Sequence, residues 1–211
     1  MFNNRFKNRS EAGLLLSDQL QKYKNSNSMV LAVPRGGVPV GYEIAKALSI
    51  PFHLILSKKI GHPENKEFAI GAVALETEII DAHPGVSEVY IQSEISRLRK
   101  LLKEKNSYYR GSQVSQDIKG KTVILVDDGI ATGNTLLACI AMLRKQRPSK
   151  IVVAVPVVPV DLISIFSAHA DEFIYLISAH YFLGVGAYYE QFNQVEDEEV
   201  VQFLQIANPV E

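Results

Sequence analysis

Two adjacent acids, Asp127 and Asp128, directly follow the hydrophobic run of residues 123–126. The run predicts a β-strand, and open α/β sheets bind their ligands beyond the carboxyl ends of such strands. Adjacent carboxylates can accept hydrogen bonds from vicinal hydroxyls, and their negative charge can stabilise positive charge that develops on a sugar ring. The pair therefore favours a ribose as the ligand.

The loop after the acids has little side-chain bulk and leads into a predicted helix. Its backbone N–H groups and threonine hydroxyls can close around a phosphate at the helix N-terminus. We therefore predict that a 5-phosphate is bound by Gly129, Ala131, Thr132, Gly133, Asn134 and Thr135. An ordinary strand-turn-helix, in which Asp128 and Thr132 only cap the helix, leaves Asp127 unexplained. The loop has neither the glycine spacing of a dinucleotide fingerprint nor the Lys-Ser or Lys-Thr pair of a P-loop.

Over thirteen residues, 123–135, this segment resembles the PRPP-binding motif of type I phosphoribosyltransferases. The resemblance implies that Asp127 and Asp128 bind the ribose of 5-phosphoribosyl-1-pyrophosphate (PRPP) and take part in catalysis. The implied reaction is displacement of pyrophosphate from C1 of PRPP by a nitrogen nucleophile, through an oxocarbenium-like transition state. Mg²⁺ is expected to travel with PRPP, with at most indirect support from the two acids and no direct protein ligand.

A second glycine-containing segment, residues 33–41, lies at the end of another predicted strand. Its glycine pair lets backbone amides approach an anion, and Arg35 offers charge-assisted hydrogen bonds to phosphate oxygens. A tight turn is an alternative explanation of the glycine pair by itself. The resemblance implies that this is the pyrophosphate-binding loop, with Arg35, Gly36 and Gly37 as its binding residues.

Residues 58–67 contain three lysines, a glycine and a proline, and they show no regular apolar period. This composition predicts an exposed, mobile loop. Enzymes of the family carry a flexible lid over the pyrophosphate at this position, so the resemblance implies that Lys59 binds and neutralises the leaving group. A solvated loop without a role is the alternative. The roles of four further candidates stay open: Lys58, His62, Glu67 and Arg110.

The aromatic tail, residues 180–192, is expected to belong to the small hood that holds the acceptor in this family. Three rings, those of Tyr188, Tyr189 and Phe192, suit a flat heterocycle. They suit equally well a group of core aromatics that seals the C-terminal helix, and the sequence leaves both interpretations open. The hood is expected to comprise the N-terminal segment and residues 178–211.

Runs rich in valine and isoleucine alternate along the chain with segments of helical period. This pattern predicts an α/β fold with a mainly parallel central sheet flanked by helices, in a single domain with its core at 29–177. The predicted core strands are 29–33, 52–57, 123–126, 151–155 and 173–177, with short strands at the sheet edge at 68–75 and 78–81. The predicted helices are 10–22, 38–48, 87–109, 136–145, 161–167 and 198–205. In the first helix, Ser10 is the expected N-cap, and Leu14, Leu15 and Leu20 form the expected inner face.

The composition narrows the functional classes. The 211 residues carry a formal net charge of −1, which disfavours nucleic-acid binding. The lone Cys139 and the polar start of the chain fit the cytoplasm, and the most apolar stretch, residues 151–160, is far short of the ~20 residues of a membrane span. No membrane partner is expected.

We therefore predict a phosphoribosyltransferase whose partners are small molecules, PRPP and an acceptor base or amine, and which can form a homodimer. The alternative is a regulatory protein of the same fold that senses PRPP or a nucleotide without turnover. A hydrolase acting on a phosphosugar is not supported, because the sequence has no Ser-His-Asp ordering and no aspartyl nucleophile motif.

Overall fold

The computed structural model describes residues 5–66, 68–80, 85–110 and 117–208, without the side chain of Arg110. The strands are β1 (Ser28–Ala32), β2 (Phe52–Leu54), β3 (Ser57–Gly61), β4 (Ala69–Ala74), β5 (Glu78–Ile80), β6 (Thr122–Val126), β7 (Lys150–Pro159) and β8 (Glu172–Ala179). The helices are α1 (Arg9–Gln19), α2 (Gly37–Leu48), α3 (Glu88–Arg110), α4 (Asn134–Lys145), α5 (Val160–His169) and α6 (Asp197–Ala207). Short 3₁₀ turns lie at Gln21–Tyr23 and Val185–Tyr188.

The central sheet has five strands in the order β2-β1-β6-β7-β8, and each neighbouring pair is parallel. Alternate residues of β1 point to opposite faces: Val30 and Ala32 join one buried cluster, and Met29 and Leu31 join the other. The first cluster includes residues of α1, α2, α3 and α6, and the second includes residues of α4 and α5. Because both faces are covered, the strands are predominantly apolar. The predicted mainly parallel sheet flanked by helices is confirmed.

The segment predicted as a mobile loop starts instead with a strand. Lys58 and Lys59 lie in β3, which pairs with β4 in a separate antiparallel sheet of order β3-β4-β5. The short strands at 68–75 and 78–81 therefore exist, but they are not on the edge of the central sheet. Local pattern could not reveal β3, because only Ile60 and Gly61 of this strand are buried and its pairing is a tertiary contact. Glu67 lies outside the described residues.

Helix α1 is capped by Asn8 and not by the expected Ser10. The Asn8 side chain accepts a hydrogen bond of 3.0 Å from the Glu11 backbone N–H. The buried face of the helix also differs from the prediction. Leu20 is fully buried as expected, but Leu16 is fully buried as well, and Leu14 is 50% exposed. Three consecutive leucines occupy more of the helix circumference than one buried face, so the sequence pattern did not define the register.

Helices α1 and α2 lie in close contact. At Gly13, an added Cβ would lie only 2.6 Å from the Val40 carbonyl oxygen, so the glycine permits this approach. The contact brings the start of α1 toward the end of β6. Within the described ranges, no helix combines the length and the apolar character needed to cross a membrane.

Candidate functional site

The two predicted binding segments meet at the carboxyl ends of β1 and β6. These strands are neighbours in register, with Ala32 opposite Val126, so the loops that follow them lie side by side. The Val33 N–H donates a hydrogen bond of 2.9 Å to the Val126 carbonyl and continues the pairing into the loops. The sheet therefore brings together residues that are nearly a hundred positions apart in sequence.

The glycine pair of the first loop packs directly on the two acids. A Cβ added at Gly36 would lie 2.6 Å from the Asp128 carboxyl carbon, and one at Gly37 would lie 2.9 Å from the Asp127 Cα. At Gly37 the contact is with backbone, so this position requires glycine, whereas a Cβ at Gly36 would force the Asp128 carboxyl group to move. The peptide bond between Pro34 and Arg35 is cis.

The loop after the acids ends on Gly133, which has a φ of +79° and precedes the first residue of α4. Among the described residues, no side chain accepts a hydrogen bond from the first turn of α4. The predicted phosphate-binding residues Ala131, Thr132, Asn134 and Thr135 are exposed there, whereas Gly133 is buried. Backbone N–H groups at an uncapped helix start, with the helix dipole behind them, suit an anion.

The acids differ in their electrostatic environments. Burial raises the pKa of Asp127 well above its usual value, and the neighbouring Asp128 charge raises it further. Burial also raises the pKa of Asp128, although a hydrogen bond from Arg9 opposes that rise. The Asp128 backbone N–H donates to Asp127 Oδ1 at 2.8 Å. A bound ligand that brings hydroxyl donors or positive charge would therefore favour the ionised pair.

Arg9, at the start of α1, is a site residue that the sequence interpretation missed. Its Nε donates to Asp128 Oδ2 at 2.7 Å, and its Nη1 donates to the Asn193 carbonyl at 2.7 Å. The guanidinium carbon lies 3.8 Å from the centroid of the Phe192 ring. No local signal could have identified Arg9, because its partner carboxylate is 119 positions away in the sequence.

The aromatic side chains predicted to belong to the hood are packed against other side chains. Tyr189 is buried between Phe6 and Phe192, and its hydroxyl donates to the Asp128 carbonyl at 2.7 Å. Burial raises its pKa. Tyr188 stacks on Phe182. Tyr189 thus occupies the position of a core aromatic, and an acceptor platform at these rings stays a prediction.

Arg35 is paired with acids at the start of α6. Its Nη1 lies 3.4 Å from a Glu196 carboxylate oxygen and 3.8 Å from an Asp197 carboxylate oxygen. Asp197 also accepts hydrogen bonds of 2.6 Å from Lys105 and Tyr109 of α3. A pyrophosphate that binds Arg35 would have to replace or join these carboxylates.

A cleft of about 1460 Å³ opens between α3, the three-stranded sheet and the start of α4. Residues from three of the predicted groups line it: Arg35, Lys58, Lys59, Asn134 and Thr135. The cleft thus joins the loop predicted to bind pyrophosphate, the lysines of β3 and the loop predicted to bind the 5-phosphate. Asp127, Asp128 and the hood rings are not among its lining residues in the described part of the chain. The side chain of Arg110 lies outside the description, and the His62 ring accepts a local hydrogen bond from the Glu64 N–H.

The family model of the phosphoribosyl transferase domain matches residues 10–162 of this chain. The chain belongs to the phosphoribosyl transferase family. The match includes both loops and the acids between them, so the predicted family is confirmed.

The relatives agree with this assignment. The crystal structure of TT1426 from Thermus thermophilus superposes with a TM-score of 0.86 at 36% identity, covering 95% of this chain and 97% of that one. A Mycobacterium tuberculosis CDC 1551 protein, provisionally named a phosphoribosyl transferase, is 34% identical over 209 residues, covering 96% of this chain. The same values hold for its counterpart in strain H37Rv. The chain spans 47% of these curated relatives, about half their length.

Proposed function

We propose that this chain binds Mg-PRPP at the ends of β1 and β6 and transfers its 5-phosphoribosyl group to a nitrogen acceptor, with release of pyrophosphate. The observation that carries the proposal is the contact between the two loops, in which Gly36 lies too close to the Asp128 carboxyl group for any Cβ. Sugar-binding acids and an anion-binding loop in contact suit one ligand that carries both a ribose and a pyrophosphate.

The ribose hydroxyls would donate to Asp127 and Asp128, and the 5-phosphate would lie on the uncapped N–H groups at the start of α4. The 5-phosphate and the ribose hydroxyls are then held on consecutive parts of a single segment, residues 127–135. Binding at both positions fixes C1 relative to the protein, which removes orientational freedom before the reaction.

At C1, a bond to the acceptor nitrogen forms as the bond to the pyrophosphate oxygen breaks, and the acceptor loses a proton. Positive charge on the ribose ring in the transition state would be stabilised by the Asp127 and Asp128 carboxylates. Negative charge on the departing pyrophosphate would be stabilised by Arg35, by the Gly36 backbone N–H and by Lys59. The Gly37 N–H already donates to the Val33 carbonyl at 3.0 Å.

The residues at this site fit a magnesium ion that arrives with its substrate. In the described residues, no cluster of three or more His, Cys, Asp or Glu side chains could hold a metal. Mg²⁺ commonly keeps several of its waters and is held largely through substrate phosphates, so Asp127 and Asp128 would support the ion only indirectly. The ion would supply charge neutralisation of the pyrophosphate.

The acceptor is proposed to be a nucleobase or another nitrogen nucleophile, and the hood is its expected position. The described hood places Val185 against Gly129, with an added Cβ at Gly129 only 2.7 Å from a Val185 methyl group. The hood therefore lies directly over the loop that follows the acids, which is the side from which an acceptor could approach C1.

Pyrophosphate release from Mg-PRPP tests the proposal. The purified chain is incubated with Mg-PRPP and a panel of purine and pyrimidine bases, and we expect release that depends on one base or amine. Asp128→Asn should lose the activity, whereas Asp18→Asn, which neutralises an exposed acid of α1, should retain it. Binding of PRPP without release for any acceptor would support the sensor alternative, and release without a base would indicate hydrolysis.

A further inference from the structure

Two parts of the hood hold Asp128 from opposite ends of the sequence. Arg9, from the N-terminal helix, donates to its Oδ2 atom at 2.7 Å, and Tyr189, from the C-terminal tail, donates to its backbone carbonyl at 2.7 Å. Gly36 packs against the same carboxyl group. Asp128 is therefore restrained at its side chain and its backbone.

Arg9 is itself held in one orientation. Its side chain is only 11% exposed, its guanidinium face lies on the Phe192 ring, and one of its terminal nitrogens donates to the Asn193 carbonyl. A buried charge is tolerated only where its partners are well placed, and a planar guanidinium satisfies a carboxylate, a carbonyl and an aromatic face together. A lysine could supply the charge, but its ammonium group could not contact the carboxylate, the carbonyl and the aromatic face with the same geometry.

We infer that Arg9 is a positioning residue for the proposed reaction: it fixes Asp128 Oδ2 and thereby presents Oδ1 to the ribose hydroxyls. The inference rests on the proposed function. Arg9 does not contact the substrate, and it affects ribose binding only by holding the Asp128 carboxylate in place. Its removal should therefore weaken recognition of the ribose without weakening recognition of a phosphate.

Calorimetric titration with two ligands separates these effects. Arg9→Met keeps an unbranched chain beside Phe192 but removes the charge and the fork of donors. We expect its affinity for ribose 5-phosphate to fall by about tenfold or more, while its affinity for inorganic phosphate changes by less than about twofold. Arg9→Lys should give an intermediate loss for ribose 5-phosphate.

Arg144→Met is the matched control. Arg144 also donates to a carboxylate, that of Asp171 at 2.6 Å, and to a backbone carbonyl, that of His169 at 3.2 Å, but away from the site. This control should bind both ligands like the wild type. The melting temperature of each variant is measured without ligand, and if Arg9→Met is unfolded, Arg9→Lys decides the question.

A double-mutant cycle with Asp128→Asn gives the sharpest result. If Arg9 acts through Asp128, Arg9→Met should change ribose 5-phosphate affinity by less than about twofold when Asp128 is already asparagine. Unchanged or tighter binding by Arg9→Met, or equal losses for both ligands, would overturn the inference while leaving the proposed function intact. A wild-type chain that binds neither ribose 5-phosphate nor PRPP would overturn the proposed function and the inference together.

Discussion

Gly36→Ala perturbs the contact between the two loops directly. The new Cβ would lie 2.6 Å from the Asp128 carboxyl carbon, about 1 Å inside a normal carbon–carbon contact, so the carboxyl group has to move by a similar distance. The group cannot swing away freely, because Arg9 holds its Oδ2 atom. Misplacement of a site group by 1 Å can cost on the order of 10²-fold in rate, and we expect ribose 5-phosphate affinity to fall by about 10- to 100-fold.

Gly41→Ala separates this effect from general loss of stability. Its Cβ would lie 2.9 Å from the Ala32 Cβ and 3.1 Å from a Phe52 ring carbon, in the core and away from the acids. Overpacking of either kind should cost about 1–3 kcal/mol of unfolding free energy, which corresponds to roughly 2–4 °C in Tm per kcal/mol for a chain of this size. Both variants should have a lower Tm than the wild type, but only Gly36→Ala should bind ribose 5-phosphate more weakly in calorimetric titration. If folded Gly36→Ala binds ribose 5-phosphate as tightly as the wild type, the contact between Gly36 and Asp128 is not part of the binding site.

Three further predictions concern the lysine strand, the phosphate loop and a distant ion-pair network. Lys59→Ala should lower the single-turnover rate by about ten- to a thousandfold and change PRPP affinity much less. The same rate is measured for Lys58→Ala, which removes the neighbouring lysine. An unchanged rate of the chemical step in Lys59→Ala would remove Lys59 from the mechanism. Gly133→Val should abolish calorimetric binding of ribose 5-phosphate and also lower Tm, because its φ of +79° disfavours a β-branched residue; retained affinity would place the phosphate elsewhere. Burial raises the pKa of Glu172, but hydrogen bonds from Lys150 and others outweigh burial and hold that pKa at about 2. Because this pKa is lowered in the folded state, the ionised Glu172 stabilises the fold above a pH of about 4.5. The free energy of unfolding of the wild type, measured by urea titration, should fall by roughly 1–2 kcal/mol between pH 4.5 and 2, and Glu172→Gln should remove most of this pH dependence. An equal pH dependence in both proteins would contradict the assignment.

The strands of the central sheet could be predicted because their burial on both faces leaves a sequence signature. Residues 123–126 and 151–155 are continuous apolar runs, and both became core strands, the second extending to Pro159. The acids could be placed for the same reason, since the end of an apolar run marks the end of its strand. Strand β3 lacks such a run, and its pairing with β4 depends on residues that begin eight positions further along the chain, from Gly61 to Ala69.

The candidate site was only partly visible in the sequence. The two loops can be recognised in the sequence by their glycines, acids and threonines. Binding of an anion or a sugar needs these residue types close together in the chain. Arg9 has no such local signature, since an arginine at the start of a helix is ordinary until its distant partner Asp128 is known. Arg35 was identified from its local motif, but its contacts with Glu196 and Asp197 could not be, because they depend on how α6 packs in the folded chain.

Calorimetric measurement of Mg-PRPP affinity in the wild type, Asp128→Asn and Asp18→Asn decides whether Asp128 binds the ribose. We expect the wild type and Asp18→Asn to bind alike, and Asp128→Asn to bind at least about tenfold more weakly at a temperature where all three proteins are folded. Equal binding by all three proteins, or a loss in Asp128→Asn that merely follows unfolding, would contradict the claim that Asp128 binds the ribose.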